Sequence, residues 1–364
     1  MVVVVAMNMR SLLLLIAVPA FAFVQEPPSV DGVSLPNADA GFGCYYTPGY
    51  FGAETLYLAA MRDHGLNYFA PQARLLPGEP EDKWAEKDGA ARCIAREINN
   101  AALVGLLDCR FPLVCYSVGP ADVIRAKDFR LPDVEWPELA CQNSDEPNGR
   151  QVNWVRQCHE EAHAAGLRDG TAVAGYQITG YYAELPWCDP KDVDTWERGL
   201  AEFLDIWIIG VGTWRDNIYK IAAKQGAMIG SYLAYPSSNI LDRYTFGVYA
   251  WKMRSNVNLV WAAINKQATW DYSRIEEVSA TEFKHEKLDG LLEGTIDYRV
   301  LQAVASLQTR KTDEWLKGVE DSVPFGWWPK GYVKDNQDKE IPTVDMDKVR
   351  TEGLALLKKA GYGK

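Results

Sequence analysis

Residues 144–147 read Ser-Asp-Glu-Pro, and the adjacent acids Asp145 and Glu146 are the clearest candidates for chemistry in the chain. They follow the apolar residues Leu139, Ala140 and Cys141, which places them at a strand end, where an apolar setting disfavours the charged carboxylate and raises its pKa toward neutral pH. Neighbours on extended backbone point to opposite sides, so the two acids need not share one proton. Glycosidic cleavage asks for this kind of pair: one acid protonates the leaving oxygen, and a second group attacks or stabilises the oxocarbenium-like carbon. Asp-Glu-Pro also reads as a plain strand stop and helix start.

Retaining enzymes with two carboxylates need a separate nucleophile. The seventh predicted strand, 227–232, and the residues after it through Pro236 carry no acid to supply it. Two arrangements stay open. In one, the 2-acetamido oxygen of the substrate is the nucleophile, oriented by Asp145 beside an acid/base Glu146. In the other, Asp216, Glu184 or Asp271 activates a water and the reaction inverts. Aromatic residues make up 12% of the chain, with 13 Trp and 18 Tyr, and about half of them belong in a core. Tyr45, Tyr46, Tyr116, Tyr176, Trp214, Tyr232, Tyr235, Trp261 and Trp270 stand at or near predicted strand ends and offer ring faces to a sugar. Asn143 can hydrogen-bond a hydroxyl or hold Asp145.

His64, His159, His163 and His285 fall on predicted helices or near helix ends, away from the strand ends, and read as solvated or core residues. The seven cysteines form no C-x-x-C pair and no zinc-like spacing. No metal centre and no cofactor is expected. An odd count leaves at least one thiol free or paired between chains, and Cys44, Cys115 and Cys141, inside predicted strands, read as small buried hydrophobes.

The elements that would position these residues alternate through the chain. Eight predicted strands, 40–46, 67–72, 111–117, 138–143, 171–177, 205–211, 227–232 and 258–263, are each followed by a helical stretch, and several helices stop at glycines such as Gly65, Gly166 and Gly226. This is the pattern of an α/β fold, a (β/α)₈ TIM barrel, whose active face is the rim where the strands end. An open doubly wound sheet is the alternative if one strand is miscounted, although no Gly-rich phosphate loop follows the first strand. Residues 40–310 would form the barrel. Residues 311–364 would form an extension packed on it, a mixed loop and a final helix.

Residues 1–22 read as a secretory signal, with Arg10, an apolar run to Val18 and Ala20-Phe21-Ala22, followed by a leader at 23–39. The run is too short to span a bilayer. A secreted or periplasmic protein without a membrane anchor after cleavage is expected. The net charge of -11 opposes non-specific binding to nucleic acid or an anionic membrane and leaves a neutral or cationic partner, with the aromatic content favouring carbohydrate.

Three segments together resemble the catalytic barrel of the glycoside hydrolase family 123 type: YFGAETLYLAAMRDHGLNYFAPQ at 50–72, SDEPN at 144–148 and LLEGTIDYRVLQAVASL at 291–307. The last corresponds to an R-E-G-x-x-D-Y-x-Y-L helix, with Leu292 in place of the Arg and Val300 in place of the second Tyr. The resemblance implies an N-acetylhexosaminidase-like enzyme in which Asp145 positions the acetamido group and Glu146 is the acid/base. A barrel that binds carbohydrate without cleaving it is the alternative from another class.

Overall fold

The computed structural model describes residues 28–45, 54–73, 87–108, 110–116, 118–145, 152–173, 204–211, 222–234, 238–263, 273–277, 283–324 and 344–363. Eight strands lie in one sheet: β1 (Gly41–Tyr45), β2 (Tyr68–Ala70), β3 (Leu113–Tyr116), β4 (Leu139–Asp145), β5 (Arg168–Val173), β6 (Ile206–Gly210), β7 (Met228–Ala234) and β8 (Val257–Trp261). Their order is β2-β1-β8-β7-β6-β5-β4-β3, and every pairing is parallel. The two end strands meet at a parallel bridge between Gln72 and Tyr116, where the Tyr116 amide donates to the Pro71 carbonyl at 2.8 Å. That bridge closes the sheet, so the fold is the expected (β/α)₈ barrel and not an open doubly wound sheet. Strands covered on both faces should be apolar throughout, and every residue of β6, Ile-Trp-Ile-Ile-Gly, is buried.

The described helices are α1 (Glu54–Asp63), α2 (Gly89–Leu103), α3 (Pro120–Ala126), α4 (Val152–Ala164), α5 (Asn239–Tyr244), α6 (Ala250–Met253), α7 (Asp289–Ala305), α8 (Arg310–Ser322) and α9 (Met346–Lys359). In α2 the buried Ala91, Ile94, Ala95, Ile98 and Ala101 recur at helical spacing and turn one stripe toward the barrel. Gly65, Gly166 and Gly226, expected as helix stops, each have φ above +70°. Predicted helix 194–203 lies outside the described residues.

Three elements differ from expectation. Predicted helix 239–254 is interrupted by a π turn, Thr245–Tyr249, between α5 and α6. Gly247 leaves helical geometry there, against Gly294 and Asp297 of α7. Strand β5 starts three residues earlier than predicted because Arg168 and Asp169 pair with Ala140 and Cys141 of β4. The extension opens on helix α8 where a loop was expected. Its N-terminus is capped by Thr309, whose Oγ1 accepts from the Thr312 amide at 3.2 Å, while the Thr312 hydroxyl oxygen accepts from the Thr309 amide at 3.0 Å.

The described part of the leader, 28–39, packs on the barrel. A short hairpin, Ser29–Val30 with Val33–Ser34, carries the buried Val33, and Leu35 and Ala38 are buried beyond it. The Tyr298 hydroxyl of α7 donates to Asp39 at 2.8 Å. Burial of Asp297 in α7 ties the extension down as well. Its carboxylate accepts from Arg243 of α5 at 2.7 Å and from Arg350 of α9 at 2.5 Å.

Candidate functional site

Strand direction brings the last residues of β1, β3, β4 and β8 to one end of the barrel, and these are Tyr45, Tyr116, Asp145 and Trp261. β4 has a register shift against β5 between Cys141 and Ser144. In a regular strand, residues three apart face opposite sides. A bulge re-aims the side chains beyond it, and here Gln142 and Asp145 face each other, with the Gln142 Nε2 donating to Asp145 Oδ1 at 3.2 Å. The Tyr116 hydroxyl donates to Asp145 Oδ2 at 2.6 Å. The Tyr45 hydroxyl donates to the Oε1 of Gln142 at 3.4 Å, which fixes the amide so that its NH₂ faces the acid.

Four rings wall the site. Tyr45 stands 5.2 Å from Tyr116, 5.4 Å from Trp261 and 6.4 Å from Tyr232 between ring centroids, and Tyr116 stands 5.7 Å from Trp261. The tilted and edge-on geometries are those that aromatic pairs favour. Tyr45 and Tyr232 are buried, whereas Tyr116 and Trp261 keep part of their surface in solvent.

Asp145 is reachable from solvent at the mouth, yet protein packed beneath it withdraws water from the carboxyl. That desolvation raises its pKa above the ordinary carboxylate value, and the bonds from Tyr116 and Gln142 pull in the opposite direction. Both donors are neutral. The site therefore holds an acid in place without neutralising it.

Behind this wall lies a different device. Arg274 and Asp242 of α5 are both fully buried and meet through two bonds of 2.7 and 3.2 Å. Arg274 also donates to the Trp261 carbonyl at 3.0 Å, which secures the end of β8. Burial pushes the Asp242 carboxyl up, and the guanidinium pulls back against it.

Of the expected site residues, the structure brings together Asp145, Tyr45, Tyr116, Tyr232 and Trp261. Glu146, Tyr46, Tyr176, Trp214, Tyr235 and Trp270 lie outside the described residues, as do Glu184, Asp216 and Asp271 and the side chain of Asn143. Strand β7 carries no acid. The side chain seen holding Asp145 is Gln142, which the sequence reading passed over. Its signal was present: an amide that follows the apolar Leu139-Ala140-Cys141 in a barrel strand is expected to be buried and requires a partner.

The late motif that carries the family resemblance lies elsewhere and packs helices. Gly294 lets α7 approach α5, since a Cβ there would meet the Phe246 Cβ at 2.7 Å and the Arg243 carbonyl at 2.8 Å. Asp297 holds two arginines, and Glu293 pairs with Arg350. The histidines are also off the rim, in two groups. His64 and His285 approach to 3.3 Å near Asp289, and His159 and His163 approach Asp205. The described cysteines, Cys44, Cys93, Cys115, Cys141 and Cys158, are buried free thiols, in keeping with the reading of those in strands. Burial pushes Cys44 up to about 12. No described helix is long and apolar enough to cross a membrane.

No protein-family model and no curated protein sequence matches the chain. Solved structures do. A Bacteroidetes-affiliated GH5 cellulase linked with a polysaccharide utilization locus is 11% identical, covering 79% of this chain and 96% of its own with a TM-score of 0.43. The hydroxymethylglutaryl-CoA lyase of Pseudomonas aeruginosa is 13% identical, covering 78% and 99% at a TM-score of 0.38. Tryptophan synthase from M. tuberculosis is 10% identical, covering 71% and 93% at 0.36. Likeness this distant carries no chemistry from one protein to another, and the barrel rests on its own strand register.

Proposed function

We propose that the protein is an exported glycoside hydrolase acting on an N-acetylhexosamine-containing carbohydrate, with Asp145 and Glu146 as its working pair. The observation that carries the reading is the hold on Asp145: an acid at a barrel strand end, gripped by Tyr116 and Gln142 inside a cup of Tyr45, Tyr232 and Trp261. Rings present flat apolar faces suited to sugar C–H groups, and the neutral donors leave the carboxylate able to accept from a substrate N–H. Asp145 would orient the acetamido group, and its oxygen would attack the anomeric carbon while Glu146 protonates the leaving oxygen. Water would then open the cyclic intermediate, with Glu146 taking the proton. The absence of an acid from β7 supports substrate assistance over an enzyme nucleophile. The apolar segment before Phe23 supports export and cleavage near Ala22, which N-terminal sequencing of the native protein checks.

A panel of aryl glycosides and oligosaccharides tests the reaction. Turnover of an N-acetylhexosaminide is expected, with Glu146→Gln slower by about two to four orders of magnitude and the first anomer released, read by NMR, retained. If no panel member is turned over, or wild type and Glu146→Gln match on all of them, the hydrolase reading fails. Sugar binding that survives loss of both carboxylates would identify a binding barrel. Inversion would discard substrate assistance and promote Asp216, Glu184 or Asp271 to general base.

A further inference from the structure

The opposite end of the barrel holds a cluster that the rim chemistry does not use. Residues 159–163 read His-Glu-Glu-Ala-His and lie within α4, so His159 and His163, four apart, share one helix face. Their rings stand 3.7 Å apart between centroids. Asp205, the residue before β6, reaches the same place, with its Oδ2 2.7 Å from the Nε2 of His163. One ligand atom from each of the three lies within 4.8 Å of the others. The carboxylate is held from behind, because the same Oδ2 accepts from the Asp169 amide at 3.0 Å.

We propose that His159, His163 and Asp205 form a binding site for a divalent transition-metal ion, zinc above all, at the end of the barrel remote from Asp145. Two imidazoles and one carboxylate are a zinc donor set, and a water completes a tetrahedron. Zinc–ligand bonds of about 2.0–2.1 Å place ligand atoms roughly 3.3 Å apart, so the His163–Asp205 contact opens by a few tenths of an ångström to admit the ion. Two histidines in a helix at this spacing, with an acid after the first, are the arrangement that zinc-binding helices use. Access is provided: the His163 side chain is 49% exposed and that of Asp205 29%. The fixed carboxylate is the outer support that metal ligands need.

The ion would join the C-terminal half of α4 to the entry of β6, two elements separated in sequence by β5 and the chain that follows it. At this end of a barrel the expected consequence is stability rather than catalysis. Glu160 is exposed between the two histidines and serves as a control.

The test uses the full chain, stripped with a chelator and dialysed against zinc or cobalt(II). Wild type is expected to retain one equivalent of zinc, to gain the visible ligand-field bands of low-coordinate cobalt, and to melt several degrees higher with zinc. His163→Gln, at a half-exposed position that leaves the core intact, should weaken binding by about 100-fold or more and abolish the cobalt bands. His159→Gln should do the same, and Glu160→Gln should bind as wild type does. Zinc retained equally by wild type and His163→Gln would place the ion elsewhere, and absence of saturable binding in wild type would remove the site. Either result overturns the proposal.

Discussion

Among the described residues, burial pushes the carboxyls of Asp145, Asp242 and Asp297 toward the neutral form, and they are answered in two ways. Asp145 at the mouth receives a tyrosine hydroxyl and a glutamine amide. Asp242, behind the wall, and Asp297, where α7 meets α5 and α9, receive guanidinium groups. A guanidinium fixes both the position and the charge of its partner, whereas neutral donors fix position and leave the charge to respond to what binds. On the proposed function, that difference is what sets the working acid apart from the structural ones, and it can be broken at either end.

The largest effect belongs to the buried pair. Arg274→Met leaves Asp242 buried without its counter-charge and releases the Trp261 carbonyl, so stability should fall by about 3–5 kcal/mol, the usual result of breaking a buried ion pair from one side. Denaturant titration measures it. A loss below about 1 kcal/mol, the scale of a surface pair, would mean that the pair is not the structural clamp described here. Asp145→Asn is the matching change at the mouth. It should cost about two orders of magnitude in turnover of N-acetylhexosaminides with the melting temperature nearly unchanged, because neither neutral donor is left facing an unpaired charge. An equal loss of stability at both positions would erase the distinction.

Much of the frame was legible because barrel strands are apolar runs and helix ends are marked by glycine. Each of the eight observed strands overlaps a predicted one, with β5 shifted three residues toward the N-terminus. What escaped was set by tertiary contact. Arg168 and Asp169 look like a polar turn, and only pairing with β4 makes them strand. The bulge that turns Asp145 toward Gln142 has no local signature, so the sequence alone does not single out Gln142 as a partner of the acid. The His159–His163–Asp205 group escaped for a related reason. Its histidines were judged singly by distance from the rim, and its third member is 42 residues further along the chain from His163. The LLEGTIDYRV segment was legible as important but not for what it does: Gly294, Glu293 and Asp297 pack and pair helices.

That packing role sets the next effect in size. Gly294→Ala introduces a Cβ 2.7 Å from the Phe246 Cβ and 2.8 Å from a backbone carbonyl, so α7 and α5 must separate. A loss of about 1–3 kcal/mol is expected, the scale of overpacking, with kcat per folded molecule unchanged. A variant as stable as wild type but slower would move this motif from the frame to the site.

The smallest effect tests the neutral grip itself. In Tyr116→Phe the ring that faces Tyr45 and Trp261 remains and one hydrogen bond to Asp145 is lost. That bond stabilises the carboxylate and so lowers its pKa, against the larger upward push of desolvation. Removing it should raise the Asp145 pKa further, by up to about one unit for a hydrogen bond worth roughly 0.5–1.5 kcal/mol. If catalysis uses Asp145 as the anion, activity is lost as pH falls through that pKa. The acidic limb of the kcat profile should therefore move to higher pH in the variant, while the plateau changes far less than in Asp145→Asn. A limb that stays in place while the plateau falls would assign Tyr116 to sugar contact alone, and a limb moving to lower pH would show that the protonated form of Asp145 is the one Tyr116 supports.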